Sequence, residues 1–251
     1  KMNGWRSTWA LFRVETLLFL REPFAVFFSL AFPLILLLFV GSIGGTEELP
    51  AGGRFIDAYM ATMIGVTAAN VGLMGMSIHI AENRGQGVLK RYRLSPVRSS
   101  AYFIAQFCTA AVVVAISIVA LAVVTLVVYG PAPHANWPML LVVSTISLYV
   151  TMSLGLFLGG LAMPVRSVQV VSAAMFFLMF FSSGAALPRE SFPGWLQTVS
   201  EFNPLTILNQ ALMDAYLGQQ CSWWRLVILV VVTIILNLIT VRTFDWEGSN
   251  S

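Results

Sequence analysis

The sequence predicts an all-α integral membrane protein, with an N-terminal interfacial helix followed by six transmembrane helices. Three observations predict it. Hydrophobic residues make up 58% of the 251 residues and charged residues only 10%, whereas about a quarter of a soluble domain is charged. The apolar residues fall in runs long enough to cross ~30 Å of hydrocarbon. The charges gather between those runs. One membrane domain, residues 1–251, accounts for the chain. A net charge of +3 confined to loops argues against nucleic acid as a partner. Cys108 lies in an apolar run and Cys221 in a loop, and His79 and His134 are far apart. Neither a disulfide framework nor a metal site is expected.

Residues 4–22 are interrupted by Arg6, Arg13, Glu15, Arg21 and Glu22. At 100° per residue, Trp5, Trp9, Phe12, Phe19 and Leu20 share a stripe flanked by those charges. This pattern suits a helix lying in the membrane interface. Pro23 separates it from the first span, about 24–43, in which Pro33 predicts a kink. A Gly-rich loop with Glu47, Glu48 and Pro50 follows. The second span, about 56–81, mixes Thr62, Thr67, Asn70 and Ser77 with Gly65, Gly72 and Gly75. Small residues permit close helix approach and polar ones seek partners, so this helix is expected to face protein or a water-filled path.

Between the second and third spans lies E-N-R-G-Q-G-V-L-K-R-Y-R-L-S-P, residues 82–96. With Arg98 it holds five basic residues. Gly85 and Gly87 allow a sharp turn out of the preceding helix. Residues 84–94 can form a short amphipathic helix with Val88, Leu89 and Tyr92 on one side, and Pro96 stops it. No Asp, Glu, Lys or Arg occurs from Ser99 to Val165. Gly130, Pro131, Pro133 and Pro138 divide that stretch into spans at about 101–129 and 139–162. A short M-P-V-R turn leads to a fifth span, about 167–187. Residues 188–222 offer two short amphipathic helices, about 193–200 and 204–217. The sixth span, about 223–241, opens with Trp223 and Trp224 beside Arg225. Six spans put both termini on one side. Of the 14 Lys and Arg residues, only Arg54, Arg189 and Arg225 fall on the other. The positive-inside rule then places both termini and the basic loop in the cytoplasm.

Three blocks in this order resemble the ABC-2 family of permeases, the membrane half of type V ABC exporters. The first is the interfacial helix at 4–22. The second is the 82–97 segment, similar to a signature of the form E-x-x-x-G-x-x-x-x-L-x-x-x-P. The third is F-F-S-S-G-A-A-L-P-R-E-S-F-P-G-W-L at 180–196, followed by N-P-L-T at 203–206. The nearest branch is the daunorubicin-resistance-type drug permeases. The resemblance implies that the segment between the fifth and sixth spans forms short extracellular re-entrant helices. It implies a coupling helix docked on a cytoplasmic ABC ATPase, with Glu82, Arg84, Gly85, Gly87, Leu89, Lys90, Arg91, Tyr92 and Pro96 as coupling residues. It further implies two such ATPase subunits as partners, with ATP and Mg bound there and no cofactor in this chain, and a second permease copy as homodimer or heterodimer. The chain has no G-x-x-x-x-G-K-[ST] phosphate loop of its own.

The expected function is export of an amphipathic drug-like, lipid or lipid-linked substrate across the cytoplasmic membrane of a prokaryote, by a multi-pass subunit that is not itself an enzyme. Candidates for the translocation path are Thr62, Thr67, Asn70, Phe176, Phe177 and Phe180. Candidates for an extracellular gate are Pro193, Trp195, Leu196, Pro204 and Leu208. The alternative is an ion-coupled secondary transporter or a membrane-embedded enzyme. Both need ionisable groups at membrane depth, and the spans offer little beyond Asp57 and His79 near their ends.

Overall fold

The computed structural model describes parts of residues 9–21 and then residues 26–49, 53–86, 99–131, 136–187 and 189–243, apart from 46, 162 and 188. The described residues are almost entirely helical, with no β-strand beyond an isolated Glu48–Arg54 bridge. Six helices are long and apolar enough to cross a membrane. These are α1 (Phe27–Gly44), α2 (Phe55–Gly85), α3 (Ser99–Tyr129), α4 (Trp137–Gly160), α5 (Val165–Ser182) and α8 (Trp223–Thr243). Two shorter helices, α6 (Gly194–Glu201) and α7 (Pro204–Leu217), connect α5 to α8.

The bundle is built around α2, whose membrane-length window is 78% buried, against 17% for α8 and 22% for α1. Lipid tails supply no hydrophobic drive between helices, so association depends on close packing and hydrogen bonds. The small residues of α2 provide that closeness. A Cβ on Gly72 would lie 2.3 Å from Thr151 Oγ1 of α4, and one on Gly155 of α4 would lie 2.2 Å from the Gly72 carbonyl. Asn209 of α7 rests against Gly65 in the same way.

Two π turns interrupt the ladder, at Phe27–Ala31 in α1 and Asn70–Gly75 in α2. The first has a direct cause. Pro33 has no N–H to offer the carbonyl four residues back, and the Phe32 N–H bonds Phe27 O instead, five residues back. The kink expected at Pro33 therefore takes the form of a widened turn just before it. In α2 the carbonyl of Ala68 accepts from Thr151 Oγ1 at 2.8 Å, which gives that carbonyl a partner where the ladder widens. The two π turns meet, because Ser29 Oγ donates to Asn70 Oδ1 at 3.0 Å.

At one end of the bundle, Arg54 holds Asp57 with two bonds, Nε–Oδ2 at 2.9 Å and Nη2–Oδ1 at 3.0 Å, and also donates to the carbonyls of Tyr129 and Gly130. This locks the start of α2 to the end of α3. Arg54 is correspondingly held above its ordinary range by the bond to Asp57. The fifth helix ends at Ser182 rather than at 187, because Gly184 has φ +85° and Ser183 Oγ turns back to Phe180 O.

Helix α7 begins with Asn203 as N-cap, whose Oδ1 accepts the Leu205 N–H, and with Pro204 in its first turn. It ends at Gly218 in the left-handed region. It runs antiparallel to α2: Leu217 packs by Gly53 and Asn209 by Gly65. Gly65 is ten residues into α2, ~15 Å along its axis, so α7 is an inner element of the bundle at the Arg54 end.

Candidate functional site: a cavity and an arginine node along the central helix

Helix α2 presents Val71, Gly75, Ile78, His79 and Glu82 at i, i+4, i+7, i+8 and i+11, one helical stripe. A cavity of about 390 Å³ lies against it. The roof is the π turn of α1, with Phe28 and Ser29. The opposite walls are Gln106, Thr109 and Val113 of α3, with Phe19 of the N-terminal helical segment closing one side. Met152 of α4 and Gln169 of α5 complete it. The N-terminal segment is tied in place by Thr16 Oγ1, 3.4 Å from Thr109 Oγ1. Thus Phe19 faces the bundle, whereas Trp9, Val14 and Leu17 are exposed.

The cavity lining mixes polar and apolar side chains. His79 Nε2 lies 2.7 Å from Gln106 Nε2 and 2.8 Å from Asn83 Nδ2, so α2 and α3 share one imidazole. Asn70 is buried, and its amide nitrogen donates to the Met74 sulfur at 3.9 Å.

On another face of α2 sits Arg84. Ser77, Ile80, Ala81 and Arg84 form a buried stripe, and Arg84 is 8% exposed. Its guanidinium donates to the carbonyls of Gly159, Leu161 and Met163. Gly159 belongs to the last turn of α4, whose carbonyls have no partner within the helix, and Leu161 and Met163 lie just beyond it, with Leu161 already extended. Arg84 therefore joins the last turn of α2 to the end of α4 and the turn into α5.

Of the coupling residues named from the sequence, Gly87, Leu89, Lys90, Arg91, Tyr92 and Pro96 lie outside the described residues. Glu82 lines the cavity and Arg84 forms the node. Arg84 and Gly85 belong to the end of α2, rather than to a separate helix starting at 84. Gly85 has ordinary helical geometry, and Gln86 continues it with φ −83° and ψ 0°. The sharp turn expected at Gly85 is absent there, since α2 has tertiary partners that carry it one turn further.

The candidates for a translocation path scatter. Asn70 lines the cavity. Thr62 and Thr67 back-bond to Ala58 O and Met63 O of their own helix, and Thr67 also meets Ser117 of α3 at 3.1 Å. Phe176 and Phe180 are buried and stacked, with centroids 6.2 Å apart, while Phe177 is exposed. At the other end, Leu208 is in the core, Leu196 and Pro204 are half-buried, and Pro193 and Trp195 are exposed. Sequence reasoning missed Ser29, Gln106 and Gln169 as cavity residues. A signal was available, because Gln106 and Gln169 are the only glutamines inside the apolar spans.

The ABC-2 type transporter family model matches residues 6–217. The chain belongs to the ABC-2 type transporter family. It is also similar to a protein of Bacillus subtilis (strain 168) named "Putative transport permease YvfS", 21% identical over 225 residues that cover 88% of this chain and 90% of that one. The ABC-2 match takes in the N-terminal segment, the cavity, the Arg84 node and α7. This chain is a multi-pass membrane transport permease, and permeases of the family partner with ABC ATPases.

Proposed function

We propose that this ABC-2 permease is the membrane subunit of an ATP-driven exporter. It moves an amphipathic drug-like, lipid or lipid-linked substrate out of the cytoplasm or the inner leaflet. Two ABC ATPase subunits dock on the 82–96 segment and hold the ATP and Mg. A second permease copy, identical or homologous, completes the path. Both termini and the Arg84 end face the cytoplasm of a prokaryote. Helices α6 and α7 lie in the outer leaflet, where Trp195, Leu196, Pro193, Pro204 and Leu208 narrow the exit.

The observation that carries this reading is Arg84. The basic segment leaves α2 two residues beyond a guanidinium bonded to the end of α4 and the α4–α5 turn. A push on that segment is delivered to three helices at once. The test is Leu89→Ala combined with Tyr92→Ala. Truncating buried anchors at an interface costs about 2 kcal/mol or more, while the remaining basic residues keep the topology. The double variant should insert at normal levels, lose ATPase co-purification by about tenfold or more, and cease transport. A double variant that binds its ATPase and transports like wild type rules out docking through this segment.

Orientation has its own check. Cys221 is a poor reporter, because burial and then the nearby Asp214 push its thiol up, and a protonated thiol is unreactive. In a Cys221→Ser background, cysteine placed at exposed Gln220 should react with an impermeant thiol reagent added outside intact cells, and cysteine at exposed Gln86 should not. The reverse pattern inverts the topology.

A further inference from the structure

We infer that the seam between α2 and α7 holds a bound water, hydrogen-bonded to the side chains of Asn209 and Thr206. This site stands independently of the export reading.

Buried polar side chains are almost always partnered. Thr62, Thr67, Thr151, Thr233 and Thr240 follow the rule by donating to the carbonyl four residues back. Asn203 follows it by donating to Met179 O at 2.8 Å and Ser182 Oγ at 3.0 Å. Asn209 and Thr206 break it. Both amide heteroatoms of Asn209 and the hydroxyl of Thr206 are buried without a partner in the protein. The two residues are only 5% and 1% exposed. The causes are local. Thr206 stands in the first turn of α7, so the residue four before it, Phe202, lies ahead of the helix. The carbonyl that other membrane threonines use is therefore out of line. Asn209 faces Gly65, and its Oδ1 fills the space where a Cβ would stand. Glycine has no side chain to answer an amide, and a Cα–H is a weak donor.

Spacing makes one site of the two groups. Residues three apart on a helix have Cβ atoms ~5–6 Å apart. Asn209 and Thr206 do not bond each other. A water with bonds of ~2.8 Å spans such a gap, accepting an N–H of Asn209 and donating to Thr206 Oγ1. Charge selects a neutral guest. Helix α7 packs on α2, α4 and α5, and no Asp, Glu, Lys or Arg occurs at 58–81, 137–160, 167–182 or 202–213. Arg225 of α8 is turned to Gln210 and Trp224. An ion would find no counter-charge in these walls. Enclosure selects a small guest, since Leu205, Leu208 and Leu212 on the same helix are fully buried. Water is both donor and acceptor, and buried waters serve groups that the protein leaves unsatisfied. Hydration, and not packing alone, then seats α7 against α2.

The experiment uses the full permease with isotope-labelled asparagine in lipid bilayers, read by solid-state NMR. Magnetisation is passed from water protons to the side-chain amides at short mixing time. Asn209→Leu assigns the Asn209 resonance. Asn136, exposed at the start of α4, is the wet control. Asn203, buried and bonded within the protein, is the dry one. The expected result is transfer to Asn209 as to Asn136, and none to Asn203. Thr206→Val keeps the shape and removes the hydroxyl, and should abolish the Asn209 transfer. An Asn209 amide as dry as that of Asn203 overturns the site. So does equal transfer to Asn203 and Asn209, or transfer to Asn209 that is undiminished in Thr206→Val. The wild-type comparison decides alone if Thr206→Val does not fold.

Discussion

Replacing Gly155 with leucine should leave almost no folded permease, and alanine alone should be severely destabilising. The Gly155 Cα lies against the widened turn of α2. A Cβ there would sit 2.2 Å from Gly72 O, 2.9 Å from Leu73 O and 3.1 Å from Met76 Cβ. Overpacking costs ~1–3 kcal/mol where side chains can give way. Here the obstructing atoms are backbone oxygens, so relief requires α4 to move off α2. That movement would also pull Thr151 Oγ1 from the Ala68 carbonyl and open the contact of Gly159 with Ser77 O. The alanine variant should therefore lie at or above the top of that range, read as a lowered unfolding midpoint in detergent. For leucine, the reading is loss of the monodisperse fraction. Gly194→Ala is the matched control, since a Cβ there meets nothing within 4 Å. Alanine is also the better helix former by up to about 1 kcal/mol, so that variant should melt with or slightly above wild type. A wild-type midpoint for Gly155→Ala would mean that α2 and α4 do not touch in this way.

The close contact of α2 was partly legible in the sequence. Gly65, Gly72 and Gly75 among polar residues mark a helix that faces protein, and Gly65 and Gly72 sit under Asn209 and Thr151. The partner residues were not legible, because nothing local to Gly155 or Asn209 says which helix they will meet. Span ends followed the apolar runs only loosely. Ala185–Leu187 continues the apolar run of α5, yet Ser183 and Gly184 break the helix before it. The side-chain roles of Thr62 and Thr67 were hidden for another reason. A threonine in a membrane helix can satisfy itself on the carbonyl four residues back, and both do.

The cavity was the least legible feature. Its walls come from the N-terminal segment and five helices, brought together by long-range packing. Asn70 was singled out as a polar residue in a span, but His79 reads as an isolated interfacial histidine until Gln106 and Asn83 are placed beside it. The register of the first span was also concealed: only the π turn before Pro33 and the Ser29–Asn70 bond show which part of α1 meets which part of α2.

Arg84→Ala should be the most damaging change near the basic segment, although four other basic residues there carry the same charge. In the sequence Arg84 is one cation of a cluster, and clusters of this kind usually set topology. What separates it is phase: Ser77, Ile80, Ala81 and Arg84 share the buried face of α2. Its guanidinium spans the carbonyls of Gly159, Leu161 and Met163, which lie at the negative end of the α4 dipole. Charged hydrogen bonds contribute ~1.5–3 kcal/mol each, and an acceptor left buried without a donor costs a similar amount. The three bonds share one side chain and are not additive, so the expected loss is about 3–5 kcal/mol. Arg84→Lys should recover only part of it, because an ammonium is a compact point and cannot bridge carbonyls as a planar fork does. A second readout separates stability from transmission. At a temperature where Arg84→Ala is still folded, its ATPase should still bind, because the proposed anchors Leu89 and Tyr92 are intact, yet substrate should no longer be moved. Without the guanidinium, a push on the basic segment bends the free end of α2 and never reaches α4 or α5. If Arg84→Ala melts like wild type and transports at the wild-type rate, the node neither holds the bundle together nor carries the stroke.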